Sequence, residues 1–392
     1  MASQPKKTVG KTAKKVDYGA LALAAHKKFH GKLSIVSKAQ LKVPSDWSMY
    51  YTPGVAAVSM HLAKNPGDVR EYTIKRNTVL VVSDGSAVLG LGNIGAYGAL
   101  PVMEGKCVIF KEMAQIDAFP IVLDTQDTEE IINTIKNIAP VFGGINLEDF
   151  SAPRCFEIEE RLKKELKIPV MHDDQHGTAI VVLAGMINAA KVVKKKIKDL
   201  KVVIVGAGAA GRAVALLLIK HGVRDVIVTD SQGILHKKRA ELSGYKKDLA
   251  TMTNPRGVQG GVMDAVAGAD AIIGVSGPGT ITEVHVAAMA QDAIVFALAN
   301  PTPEIMPDLA KSAGAHVIAT GRSDFPNQIN NALVFPGIFR GALDKGVTAI
   351  TDEMKIQAAE KLASLVKKPS AEEIIPQVGD ARVMKAIAGV IK

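Results

Sequence analysis

The sequence predicts an α/β protein of two domains, the second of them a doubly wound parallel sheet, followed by C-terminal helices. Short apolar runs such as 78–82 and 106–110 alternate with helical stretches in the first half, which is typical of α/β domains. A second alternation of strand and helix begins at 201–205 and continues to about residue 346. Residues 352–392 have the pattern of helices.

The chain is expected to divide near Lys191, where a helix-like segment over 177–198 ends in a run of lysines. We expect the first residues to be a disordered, lysine-rich tail and the C-terminal helices to pack back across the molecule. The predicted parts are the tail over 1–16, an N-terminal domain over 17–190, a second domain over 191–350 and the C-terminal helices over 351–392.

Composition excludes several classes of protein. The chain has 392 residues, of which 47% are hydrophobic, and no apolar run reaches the roughly 18 residues of a membrane helix. Cys107 and Cys155 stand apart without a CxxC motif, so neither a disulfide framework nor a thiolate zinc site is expected. The first residues lack the apolar segment of a signal peptide. These observations predict a reducing, cytoplasmic location.

The net charge of +9 is concentrated in two segments. Residues 1–15 contain five lysines and no acid, and residues 191–201 contain six lysines and one acid. Aromatic residues make up only 4% of the chain and are not interleaved with basic ones, as they are in surfaces that stack on nucleic acids. The lysines therefore indicate solvated surfaces, and no nucleic-acid partner is expected.

A dinucleotide-binding fingerprint follows the predicted strand 202–205. The glycines of this loop allow a tight turn and a close approach of the backbone to a pyrophosphate at the N-terminus of the next helix. Asp230 ends the following strand, nineteen residues after the last glycine, where it can accept hydrogen bonds from the adenosine ribose. A Rossmann-type domain is therefore predicted. The loop residues are Gly206, Ala207, Gly208, Ala209, Ala210 and Gly211.

The cofactor predicted from Asp230 is NAD, because an acid there would repel the 2′-phosphate of NADP. Lys237, Lys238 and Arg239 follow closely and could offset that repulsion, so NADP stays possible. A second match to the glycine pattern lies at 90–95. We reject it as a nucleotide site because about ten residues separate it from the apolar run at 106–110, too few for a crossover helix. It is interpreted as a loop that another backbone or a ligand approaches closely.

Carboxylates end two more predicted strands. Glu148 and Asp149 follow 145–147, and Asp173 and Asp174 follow 168–172. Parallel strands place their C-terminal ends at one edge of a sheet, so these residues can converge. Glu148, Asp149 and Asp174 would then offer the oxygen ligands that suit Mg²⁺ or Mn²⁺. A solvated loop is the alternative interpretation, and the neighbouring His172 and His176 are expected to be structural.

Two further residues are candidates by type. Lys106 is placed at the start of a predicted apolar strand, where desolvation would lower its pKa toward that of a base. A lysine that merely extends its ammonium to solvent is the alternative. Tyr51 lies in a Tyr-Thr-Pro-Gly turn.

Taken together and in this order, these motifs resemble those of the malic enzymes, in the short form usual in bacteria and archaea. The resemblance extends from about Asp17 to the C-terminal helices. The segments that carry it are 51–56, 83–95, 104–106, 146–149, 172–178, 296–304 and 323–331.

The resemblance implies a role for each matching residue. The tyrosine of the Tyr-Thr-Pro turn, Tyr51, would be the general acid and Lys106 the general base, with Asp173 beside Lys106 as an orienting acid. The metal ligands would be Glu148, Asp149 and Asp174. The matching asparagines line the family's site near the nicotinamide and the substrate carboxylate. They are Asn300, which would contact cofactor and substrate, and Asn331, which would contact substrate.

The implied reaction is the oxidative decarboxylation of L-malate to pyruvate and CO₂ with reduction of NAD or NADP, in the presence of Mg²⁺ or Mn²⁺. A homodimer or a higher homo-oligomer is also implied. One departure is Ala87, since larger malic enzymes carry an arginine in this segment that grips a substrate carboxylate. Two alternatives stay open: a malolactic-type enzyme that retains the dinucleotide and releases lactate, and a dinucleotide-sensing or nucleic-acid-binding protein with a degenerate site.

Overall fold

The computed structural model describes residues 17–88 and 90–392, and the lysine-rich tail predicted at 1–16 lies outside them. The chain forms two compact units, Met1–Val36 and Ser37–Lys392. In the described part of the first unit, helix α1 spans Tyr18–Phe29 and has no buried residue. Asp17 caps α1, because its side chain accepts a hydrogen bond from the backbone N–H of Ala20 at 3.0 Å.

The second unit alternates helices and strands in the way that the sequence predicts, and the α/β fold class is confirmed. Its helices are α2 (Pro44–Tyr50), α3 (Val55–Lys64), α4 (Val69–Tyr72), α5 (Gly95–Ala114), α6 (Thr128–Ile138), α7 (Arg154–Glu165), α8 (Asp173–Val192), α9 (Ala209–His221), α10 (Gly244–Met252), α11 (Val262–Val266), α12 (Glu283–Ala287), α13 (Pro307–Ser312), α14 (Phe335–Lys345), α15 (Asp352–Ser364) and α16 (Ala381–Ala388). Its strands are β1 (Thr78–Ser83), β2 (Asp117–Val122), β3 (Gly144–Leu147), β4 (Val170–His172), β5 (Lys201–Val205), β6 (Asp225–Asp230), β7 (Gly233–Ile234), β8 (Ala271–Gly274), β9 (Ala293–Ala297) and β10 (Ala315–Thr320).

The strands form two sheets. The first has the order β2-β1-β3-β4, with all pairs parallel. The second has the order β10-β9-β8-β5-β6-β7 and is parallel apart from the short β7. The chain leaves β5 for β6 on one side and later returns to β8 on the other. The C-terminal ends of β5 and β8 therefore form a topological switch point, where α/β sheets bind their ligands.

Both sheets contribute to the largest apolar cluster, which includes Val79 and Val81 of β1 and Val202 and Ile204 of β5. The C-terminal helices join it: α15 contacts α8, and α16 contacts α14. The side-chain amide of Asn188 donates hydrogen bonds to the backbone carbonyls of Ala363 and Ile374, which ties this segment to α8. The predicted boundary near Lys191 stays a prediction.

Three details of the sequence analysis are wrong. Residues 106–110 lie inside helix α5, not in a strand, and the buried positions of α5 recur at helical spacing, as at Ala99, Met103, Lys106 and Phe110. The loop at 90–95 therefore leads into a helix. Its rejection as a nucleotide site rested on the absence of such a helix, and that reason is wrong. Helix α8 ends at Val192, before most of the lysine run.

In the described residues, no helix has the length and apolarity to cross a membrane.

Candidate active site

Two pairs of carboxylates lie side by side at one edge of the first sheet. Glu148 and Asp149 follow β3, and Asp173 and Asp174 begin α8 directly after β4. The two strands are parallel neighbours in register at their last residues. Glu148, Asp149 and Asp174 each offer a carboxylate oxygen within 4.8 Å of the others. The structure thus brings together the three residues predicted as metal ligands.

Lys106 reaches this cluster from the middle of α5. Its ammonium Nζ lies 2.8 Å from Oε1 of Glu148 and 2.7 Å from Oδ2 of Asp173. The ring of Phe335 lies beneath it, with its centroid 4.4 Å from Nζ. The side chain is buried, with the residue only 9% exposed. Lys106 therefore meets the predicted acidic partner, Asp173, although it comes from a helix.

The charges of this group are strongly coupled. Burial by itself would lower the pKa of Lys106, but Asp173, Glu148 and Asp174 together raise it above its ordinary value. The expectation of a lowered pKa is therefore wrong for the chain by itself. Burial and the other acids raise the pKa of Glu148 well above its ordinary value, against the opposing effect of Lys106. Burial likewise raises the pKa of Asp173.

The three predicted ligands fit a divalent cation that prefers oxygen. The cluster contains four carboxylates, two of which contact the ammonium of Lys106, so negative charge is in excess at a largely buried site. Mg²⁺ or Mn²⁺ would balance that excess, and both bind carboxylates in preference to softer ligands. The backbone N–H of Asp149 donates to Oδ2 of Asp174 at 2.8 Å and so fixes the orientation of that carboxylate.

The two nearby histidines are outside the group of three candidate ligands. His172 is fully buried, with Nε2 at 3.7 Å from Oδ2 of Asp174. His176 contacts Glu159 through Nε2 at 2.9 Å and the ammonium of Lys355 through Nδ1 at 3.0 Å. Burial lowers the pKa of His176 to about 4, so its neutral form is favoured. Their structural role stays a prediction.

The glycine loop after β5 lies at the switch point of the second sheet, before the first turn of α9. A Cβ on Gly206 would lie 2.5 Å from the backbone oxygen of Val275. A Cβ on Gly211 would clash with the backbone oxygen of Gly206. These two glycines let three backbone segments pack closely. Gly208, in contrast, has no atom within 4 Å of its Cβ position and leaves open space at the helix N-terminus. This is the arrangement that admits a pyrophosphate.

Asp230 lies next to that loop at the end of β6, since Gly206 donates its N–H to the carbonyl of Thr229 at 3.0 Å. Its carboxylate is paired with the guanidinium of Arg239 and the ammonium of Lys246. Against the opposing effect of burial, these partners lower the pKa of Asp230 to about 2. Lys246 was not singled out from the sequence, because it lies sixteen residues further on.

The predicted asparagines contact two different segments of the chain. Asn331 is close to Gly177 of α8, whose Cβ position lies 3.1 Å from the Asn331 Cβ and also meets Asp173. Asn300 follows β9, and its backbone oxygen abuts Gly90 in the loop before α5. The expectation that another backbone approaches this glycine loop closely is confirmed.

Replacing Gly90 by alanine tests that approach. Gly90 has φ +71°, and its Cβ would clash with the backbone oxygen of Asn300 and lie 2.9 Å from Cδ of Pro301. We expect Gly90→Ala to lower the free energy of unfolding by about 3 kcal/mol, from left-handed strain and overpacking together. Gly92→Ala is the matched control, since Gly92 has φ +74° and no atom near its Cβ position. Equal losses in denaturant titrations would contradict the importance of the contact.

Tyr51 is not brought to this cluster within one chain. Its side chain is exposed, with the residue at 65% exposure, and among the described residues its hydroxyl has no hydrogen-bond partner. It follows α2, in which no residue is buried, as is also true of α3. The proposed role of Tyr51 stays a prediction.

Sequence reasoning missed several supporting residues. Asn146, a polar residue within the buried strand β3, donates its amide to Oε2 of Glu148 at 2.8 Å. Glu304 is fully buried and accepts from the backbone N–H groups of Ser276 and Ala299, both at 2.9 Å, so it holds together the segments that follow β8 and β9. A polar residue inside an apolar strand was the available signal for Asn146. The hydrogen bonds of Glu304 join segments that are far apart in the sequence, so they can be identified only from the three-dimensional structure.

Comparisons with known proteins agree with this geometry. The family model "Malic enzyme, N-terminal domain" matches residues 30–163, and "Malic enzyme, NAD binding domain" matches residues 175–391. The chain is 56% identical over 359 residues to an NAD-dependent malic enzyme of Geobacillus stearothermophilus, covering 91% of this chain and 75% of that one. It is 52% identical over 370 residues to a bifunctional malic/malolactic enzyme of Bacillus subtilis, covering 94% and 90%.

A solved structure shows the same architecture. The crystal structure of an NAD-dependent malic enzyme from Thermotoga maritima superposes with a TM-score of 0.92 at 47% identity, covering 96% of this chain and 99% of that one. The two family models match successive parts of the chain, and the relatives and the solved structure each cover more than nine-tenths of it. From this agreement it follows that the chain belongs to the malic enzyme family.

Proposed function

We propose that the chain catalyses the oxidative decarboxylation of L-malate to pyruvate and CO₂, with reduction of NAD or NADP and with Mg²⁺ or Mn²⁺ bound. The observation that carries the proposal is the buried group of Glu148, Asp149 and Asp174, with the ammonium of Lys106 against it. The open glycine loop after β5 supports the dinucleotide. Names of the relatives support the substrate.

In this proposal Lys106 removes the proton from the C2 hydroxyl of malate while hydride passes to the nicotinamide. Asp173 orients the lysine through its 2.7 Å contact, and Phe335 excludes water from beneath it. A cation held by the three carboxylates would supply positive charge and would thereby favour the neutral form of Lys106. It would also act as a Lewis acid on the carbonyl that forms at C2. Asn331 and Asn300 would position the substrate and the nicotinamide.

Tyr51 is proposed as the acid that protonates C3 after CO₂ has left. Because its hydroxyl is exposed and unpartnered in the described part of one chain, we propose a homo-oligomer that places it at the site of a second copy. Exposed apolar side chains on and around α2 and α3, such as Trp47, Met49, Val58 and Met60, support such an interface.

We expect Tyr51→Phe to lower pyruvate formation by about 10²-fold, since it removes only the acid. A mixture tests the sharing of sites. Co-expression of Tyr51→Phe with Lys106→Ala chains should restore part of the activity, because a shared assembly contains some sites with both residues intact. The two variants carry different affinity tags, so that sequential purification on both tags isolates the mixed assembly. No gain of this mixed assembly over the separate variants would contradict a Tyr51 supplied in trans.

The deciding experiment follows the absorbance of reduced nicotinamide with L-malate, run with NAD and with NADP, with Mn²⁺ or Mg²⁺ and with chelator. Pyruvate and lactate are assayed in parallel. Metal-dependent reduction with pyruvate formed is the expected result. Lactate without net reduction would favour malolactic activity, a second candidate because one relative has both activities in its name. No turnover with either dinucleotide would overturn the proposal. A cytoplasmic location stays a prediction.

A further inference from the structure

A cavity of about 560 Å³ lies among helices α7, α8, α9, α10 and α15. Its volume falls in the range of about 300–1,000 Å³ that is usual for small-molecule sites. Of the described residues that line it, none takes part in the proposed reaction. The chemistry of the lining therefore indicates what further molecule the chain can bind.

One face of α9 forms an apolar wall of this cavity. Ala213, Leu216 and Leu217 recur at helical spacing and line it. Ala179 of α8 and Met252 of α10 add further apolar surface. A ligand that covers these side chains removes apolar surface from water, which favours binding through the hydrophobic effect. The body of the ligand is therefore expected to be apolar.

Two of the acids that line the cavity are already neutralised by lysines. The carboxylate of Glu159 lies 2.5 Å from the ammonium of Lys163. The carboxylate of Asp352 lies 2.8 Å from the ammonium of Lys220 and 3.0 Å from that of Lys355. All five residues line the cavity, so three lysines stand against two acids. Neither acid is left to attract a cationic ligand.

Arg212, in the first turn of α9, is a cation at the cavity without an acidic partner. Its guanidinium lies on the ring of Phe156, with Cζ 4.8 Å from the centroid. Among the described residues this guanidinium has no hydrogen bond or ion pair, and its Nε is buried from solvent. The third acid of the lining, Glu160, pairs with Lys164 at 2.6 Å. Because a buried donor without an acceptor is unfavourable, Arg212 is suited to an anionic acceptor.

We propose that this cavity is a second ligand site, which binds an aliphatic acid with its acidic group on Arg212 and its apolar chain along α9. A planar guanidinium offers paired N–H donors that match the oxygens of a carboxylate or of a phosphate monoester. From Arg212 to Lys220 the helix rises by about 12 Å, which leaves room for a chain of medium length. The inference does not rest on the proposed function, because it uses none of the same residues.

The test titrates octanoate calorimetrically into the full chain, with hexanoate, 1-octanol and octyl phosphate as comparison probes. Hexanoate should bind about tenfold more weakly than octanoate, since each buried methylene contributes about a fourfold gain. Arg212→Gln should weaken the binding of octanoate by about 10- to 100-fold and leave that of 1-octanol within about twofold. The tighter of octanoate and octyl phosphate identifies the acidic group. Arg224→Gln, an exposed arginine paired with Asp199, is the matched control and should change neither.

Leu216→Trp distinguishes this cavity from other apolar surfaces of the chain. The larger ring occupies the cavity while Arg212 stays, so octanoate should bind at least about tenfold more weakly. Thermal unfolding checks that both variants are folded. Unchanged octanoate affinity in either folded variant, or no binding to the wild type, would overturn the inference. Displacement of octanoate by AMP would also overturn it, because the acid would then lie in the dinucleotide site. Since these titrations need no turnover, absence of malate oxidation would refute the proposed function alone.

Discussion

Lys106→Arg is expected to lower the turnover of malate by about 10³-fold while the chain stays folded. Arginine keeps the positive charge that Glu148 and Asp173 require, but its pKa is too high for it to act as a base. Lys106→Ala should lose at least as much activity. It also leaves buried carboxylates without their cation, which destabilises proteins by about 3–5 kcal/mol. Initial rates of dinucleotide reduction, together with thermal unfolding, measure both effects.

The matched control is Lys111→Ala, five residues further along α5. Lys111 forms an exposed ion pair with Asp117 at 2.8 Å, and such pairs contribute about 0–1 kcal/mol. This variant should keep nearly full activity and stability. If Lys106→Arg retained wild-type turnover, the assignment of Lys106 as the base would be refuted, because no neutral form would then be needed at this position.

The sequence was most informative where local patterns decide the structure. The strand, glycine loop, helix and second strand over 201–230 form as predicted, because each depends on short-range backbone preferences. The convergence of Glu148 with Asp174 was also predictable, since parallel strands end at one edge. The helix that carries Lys106 was not. Four consecutive apolar residues are consistent with either a buried strand or a buried helix. Gly98, Pro101 and Gly105 are uncommon inside helices, so they obscure the helical periodicity of this segment.

Properties that depend on several distant segments could not be predicted. The pKa of Lys106 was expected to fall through burial, but three acids from two other elements outweigh burial. The pairing of Lys246 with Asp230 joins the first turn of α10 to the end of β6, with no pattern in the sequence to link them. Tyr51 carries the family's motif, but its contacts depend on what covers α2 and α3.

Asp174→Asn is expected to raise the Mn²⁺ concentration needed for half-maximal activity by about 10²-fold. An amide keeps the oxygen that accepts the N–H of Asp149, so the local fold is preserved, but it removes one negative charge from the three candidate ligands. Calorimetric titration of Mn²⁺ into the variant should show the same loss without any substrate. Asp124→Asn, an exposed acid on the loop between β2 and α6, is the control and should leave both values unchanged.

The Asp174 variant also tests what the buried acids do in the absence of metal. Asp174 raises the pKa of both Glu148 and Asp173, so removing its charge relieves repulsion in the metal-free chain. We therefore expect the metal-free variant to unfold at the same or a higher temperature than the wild type, while the stabilisation that Mn²⁺ gives to the wild type disappears. A variant that kept the Mn²⁺ affinity of the wild type would contradict Asp174 as a ligand, because the remaining two carboxylates would then suffice.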